Sequence, residues 1–371
     1  MNSFLDKIPG QNRVKKTLDN FIESNSIPHA FLFTSIEGVG KDNAAIKFAQ
    51  ALIQKESNDG FERNSRLVET LSEPKVKFIF PLPRGKNETD TSSPTEKLTN
   101  DELEIIKEQI ELKIKNPFHK IIIPKANRIK INSIRDIKKF LSLNFNEVGY
   151  RFILISDAHL MNDEAQNALL KNLEEPPEKV IFILTTSSVS KLKPTIISRC
   201  WRINFDPLNV DDIVFILTNY FSVDKNTAKE VSRFAMGSVQ SALNLVNVDI
   251  NNLKEKIISV LRYSFGRKFH SAFDELNTIL SDSGNTNFQI IIGMIIAWIN
   301  DLQKQRLDVN KYFYEDHTET LEKFNKRFPD VNLNSITSRL DYLSALPTMN
   351  INPSLLSSAL IFELSSLVLQ N

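Results

Sequence analysis

Short apolar runs alternate with longer amphipathic segments over the first 208 residues of the chain. The runs AFLFT (30–34), HKIIIP (119–124), YRFILISDAH (150–159) and KVIFILTTS (179–187) are typical of strands that are buried on both faces of a parallel sheet. Segments between them, such as 11–25, repeat apolar residues at helical spacing. This alternation predicts an α/β domain in which helices cover both faces of a parallel sheet.

The pattern changes twice along the chain. Residues 56–112 are polar and rich in turn formers, so we expect a mobile insertion there, with an exposed loop over PLPRGKNETDTSSPTEK (81–97). After residue 208 the apolar residues recur at helical spacing. The run IIIGMIIAWI (290–299) is about half as long as a membrane span and predicts a buried helix.

Composition narrows the class of protein only modestly. The chain is 41% hydrophobic and 25% charged, with a net charge of +1, so any nucleic-acid or membrane partner would have to meet a local patch. The one cysteine, Cys200, cannot form an internal disulfide or a cysteine zinc cluster, which favours a cytoplasmic location. The opening residues MNSFLDKIPG have no long apolar core, and no signal peptide is expected.

One local patch of positive charge is visible in the sequence. Residues 113–139 contain nine Lys or Arg and a single acid, Asp136. Such a run is compatible with a track for DNA phosphates. It is equally compatible with a solvated helix face, because aromatic residues for base stacking are sparse between the charges. The sequence leaves both alternatives open.

A damaged phosphate loop follows the first apolar run, in SIEGVGKDNAA (35–45). A working loop has the form GxxxxGK[ST], in which backbone N–H groups face the phosphates, the lysine reaches the outer phosphates and the hydroxyl binds magnesium. Gly38, Gly40 and Lys41 match this pattern, but Ser35 replaces the first glycine and Asp42 replaces the hydroxyl. A carboxylate at position 42 would repel a polyphosphate at close range.

The acidic strand expected to accompany a phosphate loop is also altered. Such a strand ends in two acids, of which the first handles magnesium and the second polarises the attacking water. Here the strand RFILI ends in Ser156 and Asp157, so the first acid is missing. The changes at Asp42 and Ser156 therefore affect the same function, the binding of magnesium.

Two longer stretches carry a resemblance to a known family. DAHLMNDEAQNALLKNLEEPPEKVIFILTT (157–186) and TIISRCWRINFDPL (195–208) are similar to the AAA+ subunits of the bacterial clamp loader. The resemblance covers about residues 5–55 and 115–248, and the remainder matches only as a helical tail. It implies an AAA+ domain at 1–208 with the insertion at 56–112, a small helical lid at 209–248, and a helical collar for oligomerisation at 249–371.

The most specific feature of this resemblance is SRC (198–200). In clamp loaders the arginine of this motif, here Arg199, faces the ATP of the neighbouring subunit. An always-charged, planar guanidinium next to the γ-phosphate stabilises the charge that develops during hydrolysis. The resemblance therefore implies that Arg199 is a catalytic arginine finger that acts in trans.

Two sensor positions follow from the same resemblance. Thr185 ends a strand where relatives place a group that senses the γ-phosphate. Gln240, in GSVQSAL (237–243), stands where hydrolysing relatives have an arginine, and a neutral amide cannot fix a phosphate charge. Many relatives also carry four zinc-binding cysteines before the acidic strand, and this chain has none there. We therefore expect no zinc and no other bound metal.

The resemblance implies a subunit that gives an arginine finger but has no working hydrolytic site of its own. Its expected partners are the gamma/tau ATPase subunits, the delta subunit, the sliding clamp and primed DNA, with no membrane partner. No cofactor would be required, although weak ATP or ADP binding at the damaged loop is compatible with the residues. The chain alone would not be an enzyme, although it would belong to a DNA polymerase holoenzyme. Two alternatives remain: an active gamma/tau-like ATPase, and a nucleotide-binding scaffold without a role on DNA.

Overall fold

The computed structural model describes residues 3–56, 61–89, 91–142, 149–282, 288–309, 312–346 and 352–368. The chain divides into two compact units, Met1–Asp212 and Ile213–Asn371. The first boundary falls close to the expected end of the AAA+ domain at 208. A further division at 248, between lid and collar, stays a prediction.

A parallel five-stranded sheet in the order β2-β3-β4-β1-β5 forms the centre of the first unit. Its strands are β1 (Ala30–Thr34), β2 (Val76–Ile79), β3 (Arg151–Ile155), β4 (Val180–Thr186) and β5 (Trp201–Asn204). Every residue of β1 and β4 is buried, because helices cover both faces. The predicted α/β architecture with a parallel sheet is confirmed.

Helices lie on both faces of the sheet in this unit. Those described are α1 (Ser3–Asp6), α2 (Asn12–Ser24), α3 (Lys41–Glu56), α4 (Phe61–Glu69), α5 (Asn100–Lys115), α6 (Ile131–Ser142), α7 (Asp163–Glu174) and α8 (Pro194–Ile197). Some pack on the strands and others, such as α4, on another helix. Helices α6 and α7 share an apolar core with β1, β3 and β4. Elsewhere Phe31 of β1 makes edge-to-face contacts with Phe21 of α2 and Phe48 of α3, at 5.5 and 5.2 Å between ring centres.

The edge strand β2 lies within the stretch expected to be a polar insertion, and that expectation was wrong for residues 76–79. Val76 and Ile79 are buried, and Val76 pairs in register with Phe152 of β3. The apolar run VKFIF between Pro74 and Pro81 is the sequence signal that could have identified the strand. Residues 57–60 and 90 of the expected insertion lie outside the described residues.

The loop at 81–97 has no helix or strand among its described residues, as expected, but it is not uniformly exposed. Glu88 is only 9% exposed. Its carboxylate accepts hydrogen bonds from Lys130 at 2.9 Å and from Asn132 at 3.1 Å. This buried pairing anchors part of the loop to Lys130, which precedes α6, and to Asn132 in the first turn of α6.

The strand predicted over HKIIIP (119–124) was also wrong. Residues 116–122 form an irregular segment, here called the strap, that runs back along α5. Gln109 of α5 accepts a hydrogen bond from the backbone N–H of Ile122 at 3.0 Å, so a side chain takes the place of a neighbouring strand. Ile122 is 63% exposed, whereas Ile123 packs against Phe80 in a small apolar cluster.

Helices are the regular secondary structure of the described part of the second unit. Its helices are α9 (Val210–Phe221), which carries the division between the units, α10 (Lys225–Phe234), α11 (Val239–Leu245), α12 (Ile250–Phe265), α13 (Phe269–Asp282), α14 (Phe288–Arg306), α15 (Thr318–Arg327), α16 (Leu333–Ala345) and α17 (Pro353–Leu367). Helix α14 is buried through its apolar run, as predicted. None of the helices in the described part of the chain has the length and apolar character that a membrane crossing requires.

A buried carboxylate fixes the loop after α14. Asp301 is fully buried and accepts hydrogen bonds from the backbone N–H groups of Phe313 at 2.7 Å and Tyr314 at 2.9 Å. Lys304 supplies the neutralising charge at 2.9 Å. A buried carboxylate with this set of partners holds the loop firmly to the helix.

Candidate functional site

The predicted site residues meet at the carboxyl edge of the sheet. The phosphate loop joins β1 to the first turn of α3, while Ser156 follows β3 and Thr185 lies near the end of β4. Strands β1, β4 and β3 are neighbours in that order, which brings the three segments together. Gly38 and Gly40 have φ values of 77° and 86°, in the left-handed region that glycine adopts without strain.

Asp42 is the centre of the polar contacts in this site. Its Oδ2 accepts a hydrogen bond from Ser156 Oγ at 2.9 Å, and its Oδ1 accepts one from Thr185 Oγ1 at 2.9 Å. The ammonium of Lys113, from α5, also lies 2.9 Å from Oδ2. Asp42 therefore binds two of the other predicted positions and one lysine that the sequence reasoning did not single out.

These contacts keep Asp42 ionised. Burial by itself would raise the pKa of the carboxyl group. The charge and hydrogen bond of Lys113, together with the hydrogen bonds from Ser156 and Thr185, outweigh burial and hold the pKa of Asp42 below its ordinary value. The negative charge at position 42 is thus neutralised within the chain.

Lys41 points back into the phosphate loop. Its Nζ donates to the carbonyl oxygens of Ile36 at 2.6 Å and Ser35 at 3.3 Å, and the side chain is buried. Burial lowers the pKa of Lys41, against the opposing effect of nearby acids, of which Asp42 is the strongest. The lysine that a working loop aims at phosphate here bonds to the backbone of the loop itself.

Asp157, the retained acid, is partly buried and has a left-handed backbone conformation. Its φ is 52°, and its backbone N–H donates to Thr185 Oγ1 at 3.3 Å. Burial, with the nearby charges of Asp42 and Glu37, raises the pKa of Asp157 to about 6. This carboxyl group therefore titrates near neutral pH.

The strap closes the outer side of the phosphate loop. A Cβ added at Gly40 would lie 2.9 Å from Cε1 of Phe118, so the phenyl ring rests directly on the loop. Lys120, two residues later, forms an ion pair with Glu37 of the loop. Both of these contacts were missed by the sequence analysis.

The sequence held one signal for the separate contact between Lys113 and Asp42. Lys113 lies three residues after Ile110, on the apolar face of α5, where a lysine is unexpected.

The residues of this site do not fit a magnesium–nucleotide complex, which active AAA+ proteins bind at the same place. Such a complex needs a hydroxyl at position 42 and an acid at position 156. Asp42 instead lies against Lys113, and hydrogen bonds from Ser156 and Thr185 also occupy its carboxylate oxygens.

Arg199 lies at the surface of the first unit, after α8. Its guanidinium donates to Glu174 Oε1 of α7 at 2.8 Å and to the carbonyl of Thr195 at 2.9 Å, and its side chain is 35% exposed. The next residue, Cys200, packs against the core, and burial raises the pKa of its thiol to about 12. The raised pKa favours the protonated thiol, and Arg199 is the charged group of the turn at 198–200.

Gln240 belongs to α11 of the second unit. It is half-buried, and its Nε2 donates to Asn244 Oδ1 at 3.4 Å. Its role as a sensor position stays a prediction. Within the described ranges, no group of three or more His, Cys, Asp or Glu side chains is arranged to hold a metal ion. The expectation of a chain without zinc stays a prediction as well.

The chain is similar to known subunits of DNA polymerase III. Residues 10–209 match the family model described as "DNA polymerase III, delta subunit". The DNA polymerase III subunit gamma of Buchnera aphidicola is 29% identical over 265 residues, which cover 68% of this chain and 62% of that protein. The subunit tau of Bacillus subtilis is 28% identical over 251 residues, with 66% and 38% covered.

A third relative is of a different subunit type. The DNA polymerase III subunit delta′ of Bacillus subtilis is 26% identical over 272 residues, which cover 71% of this chain and 68% of that protein. The chain thus spans less than two thirds of the gamma and tau relatives and slightly more of the delta′ relative. These identities do not separate the subunit types.

Proposed function

Because the chain belongs to the bacterial clamp-loader AAA+ family of DNA polymerase III subunits, we propose that it is the delta-prime subunit of a clamp-loader complex. In this role it would help to load the sliding clamp onto primed DNA, together with gamma/tau ATPase subunits and a delta subunit. It would hydrolyse no ATP itself, and it would need neither zinc nor another cofactor. The relatives alone do not distinguish this role from that of an active ATPase, so the proposal depends on the site.

The observation that carries the proposal is the closed set of contacts around Asp42. Lys113, Ser156 and Thr185 all lie 2.9 Å from its two carboxylate oxygens. A magnesium ion would have to compete with the ammonium group of Lys113, which is already in contact with the carboxylate at position 42. This arrangement supports a subunit whose own site takes no part in hydrolysis.

Arg199 is proposed to act on the nucleotide of a neighbouring subunit. Its partner Glu174 is 47% exposed, and an ion pair in such a position contributes little stability. The guanidinium can therefore exchange Glu174 for a γ-phosphate at small cost. An arginine suits this role because its planar donors match phosphate oxygens and its charge is permanent.

The test is the ATPase activity of a complex reconstituted from this chain, gamma/tau subunits and a delta subunit. Arg199→Ala should lower DNA-stimulated turnover while assembly, measured by gel filtration, is unchanged. Arg63→Ala removes an exposed arginine of α4 and is the matched control. Normal turnover with Arg199→Ala would refute the finger role. Failure of the wild-type chain to co-purify with these partners would favour a scaffold outside replication.

An active ATPase is the second candidate, because the gamma and tau relatives are slightly more similar than the delta′ relative, at 29% and 28% against 26%. The purified chain should then turn over ATP. We expect a rate below about 0.1 per second, which is low against typical enzymes. A faster rate that disappears in Lys41→Ala would establish the ATPase and refute the inactive subunit.

A further inference from the structure

Lys113 joins three separate parts of the first unit. It belongs to the last turn of α5, its ammonium lies 2.9 Å from Asp42 in the first turn of α3, and the same nitrogen donates to the carbonyl of His119 in the strap at 2.9 Å. The side chain is only 5% exposed. A lysine is rarely buried to this degree unless its charge is paired.

Lys113 and Asp42 pair with each other and with neighbouring groups of this chain. A lysine ammonium has three donors, and two of them are accounted for by Asp42 and His119. The Asp42 carboxylate accepts from Lys113, Ser156 and Thr185. Removal of the lysine alone would leave a largely buried carboxylate without its counter-charge.

The strap is tied to α5 at several points. The backbone N–H of Asn116 donates to the carbonyl of Leu112 in α5 at 2.8 Å, and within the strap the Asn116 side-chain oxygen accepts from the N–H of Phe118 at 2.9 Å. Gln109 contacts the His119 ring at 3.0 Å and accepts from the N–H of Ile122 at 3.0 Å. These bonds hold the Phe118 ring against Gly40. The cover over the phosphate loop is therefore built into α5 and not left to a free loop.

We propose that Lys113 is a built-in cation that closes this site: it neutralises Asp42 from within the chain and, with the strap at 116–122, excludes nucleotide from the phosphate loop. The disagreement between the site and a magnesium–nucleotide complex then has a structural cause beyond the loss of individual ligands. The inference rests on the proposed function in one respect, that this site does not hydrolyse ATP. It names the group that enforces the inactive state.

Hydrogen exchange of the phosphate-loop amides in the full-length chain tests the proposal, with magnesium and ADP or ATP as the probes. In the wild type, we expect millimolar nucleotide to leave exchange at residues 36–42 unchanged. In Asp42→Thr/Lys113→Met, which removes both charges together and restores a hydroxyl, exchange at these residues should be at least about tenfold faster, because the closing contacts are gone. Nucleotide should then slow it.

Lys107→Met is the matched control, because it makes the same substitution at an exposed position six residues earlier on α5. It should behave as the wild type does. Phe118→Ala is a second variant that leaves the ion pair intact, and it should speed exchange at Gly40 by a smaller factor. It keeps the test available if the double variant fails to fold.

Two results would overturn the proposal. One is protection of the wild-type loop by nucleotide; the other is a double variant whose loop exchanges at the wild-type rate. Neither result bears on Arg199, since that role is measured as ATPase activity of the assembled complex. Suppose that Arg199→Ala leaves ATP turnover of the complex unchanged while nucleotide leaves hydrogen exchange of the wild-type loop unchanged. These two results together would refute the proposed function but not the closed site.

Discussion

Substitution of either Lys113 or Asp42 should destabilise the first unit, and the loss of stability should depend on which of the two residues is replaced. Lys113→Met leaves Asp42 with its two hydroxyl partners but without its counter-charge. Breaking a buried ion pair from one side costs about 3–5 kcal/mol, and the two remaining hydrogen bonds favour the lower end of that range. For a unit of this size, about 3 kcal/mol corresponds to a fall in melting temperature of about 6–12 °C.

The assay is a double-mutant cycle built from Lys113→Met, Asp42→Asn and the combination of the two. Removal of both charges together leaves no unpaired ion, so the combined variant should lose less stability than the sum of the single variants, by about 2 kcal/mol. Lys107→Met is the control for the loss of a lysine from α5. Thermal unfolding should be followed in the first unit, because the chain has two units and two-state behaviour of the whole cannot be assumed.

The same cycle has a pH signature. The folded-state pKa of Asp42 lies below its unfolded value, so the stability contributed by its ionised form is present above the unfolded pKa and is lost as the pH falls through the folded pKa. The coupling energy should therefore shrink in acid. Additivity of the single variants to within about 0.5 kcal/mol at neutral pH would refute the ion pair as a stabilising contact.

Three further predictions follow from contacts elsewhere. The pKa of Asp157 is raised to about 6, so its ionised form opposes folding and stability should fall as the pH rises from about 4 to about 6. Asp157→Asn should remove this slope and add up to about 3 kcal/mol of stability above pH 6. A pH profile of thermal melting that is the same in the variant and the wild type would contradict this prediction. Asp301→Ala should cost about 3–5 kcal/mol in urea unfolding of the second unit, because it leaves Lys304 and two backbone N–H groups unpaired; a loss below about 0.5 kcal/mol would count against it. Gly40→Ala should cost at least about 1 kcal/mol in thermal unfolding, from its positive φ and its contact with Phe118; Phe118→Ala should relieve only part of that loss, and a neutral Gly40→Ala would contradict the close approach.

The sequence predicted the centre of the fold because the signals there are local. Strands such as AFLFT and KVIFILTTS are continuously apolar, and only a sheet covered on both faces buries such runs. The edge strand β2 was missed, since its partly exposed residues Lys77 and Phe78 break the run and its surroundings are polar. The run HKIIIP has the composition of a strand, but its backbone bonds to Gln109 of α5, and no local pattern announces that contact.

The candidate site, like the fold, could be predicted from the sequence only in part. The pattern around Gly38, Gly40 and Lys41 placed the phosphate loop correctly between β1 and α3, and the missing hydroxyl and acid were visible in the sequence. What Asp42 contacts was not visible. Lys113 lies 71 positions further along the chain, and only the packing of α5 brings it to the loop. The roles of Thr185, Gln240 and Arg199 stay predictions.

The decisive measurement compares two substitutions in this chain within the reconstituted complex, Lys41→Ala and Arg199→Ala, by DNA-stimulated ATP turnover. If the chain hydrolyses no ATP but supplies an arginine in trans, Lys41→Ala should leave turnover unchanged. Arg199→Ala should remove the share of turnover that comes from the neighbouring site, where loss of such an arginine lowers the rate by about 10³-fold or more. The opposite result, a loss with Lys41→Ala and none with Arg199→Ala, would show that the chain works as an ATPase at its own phosphate loop.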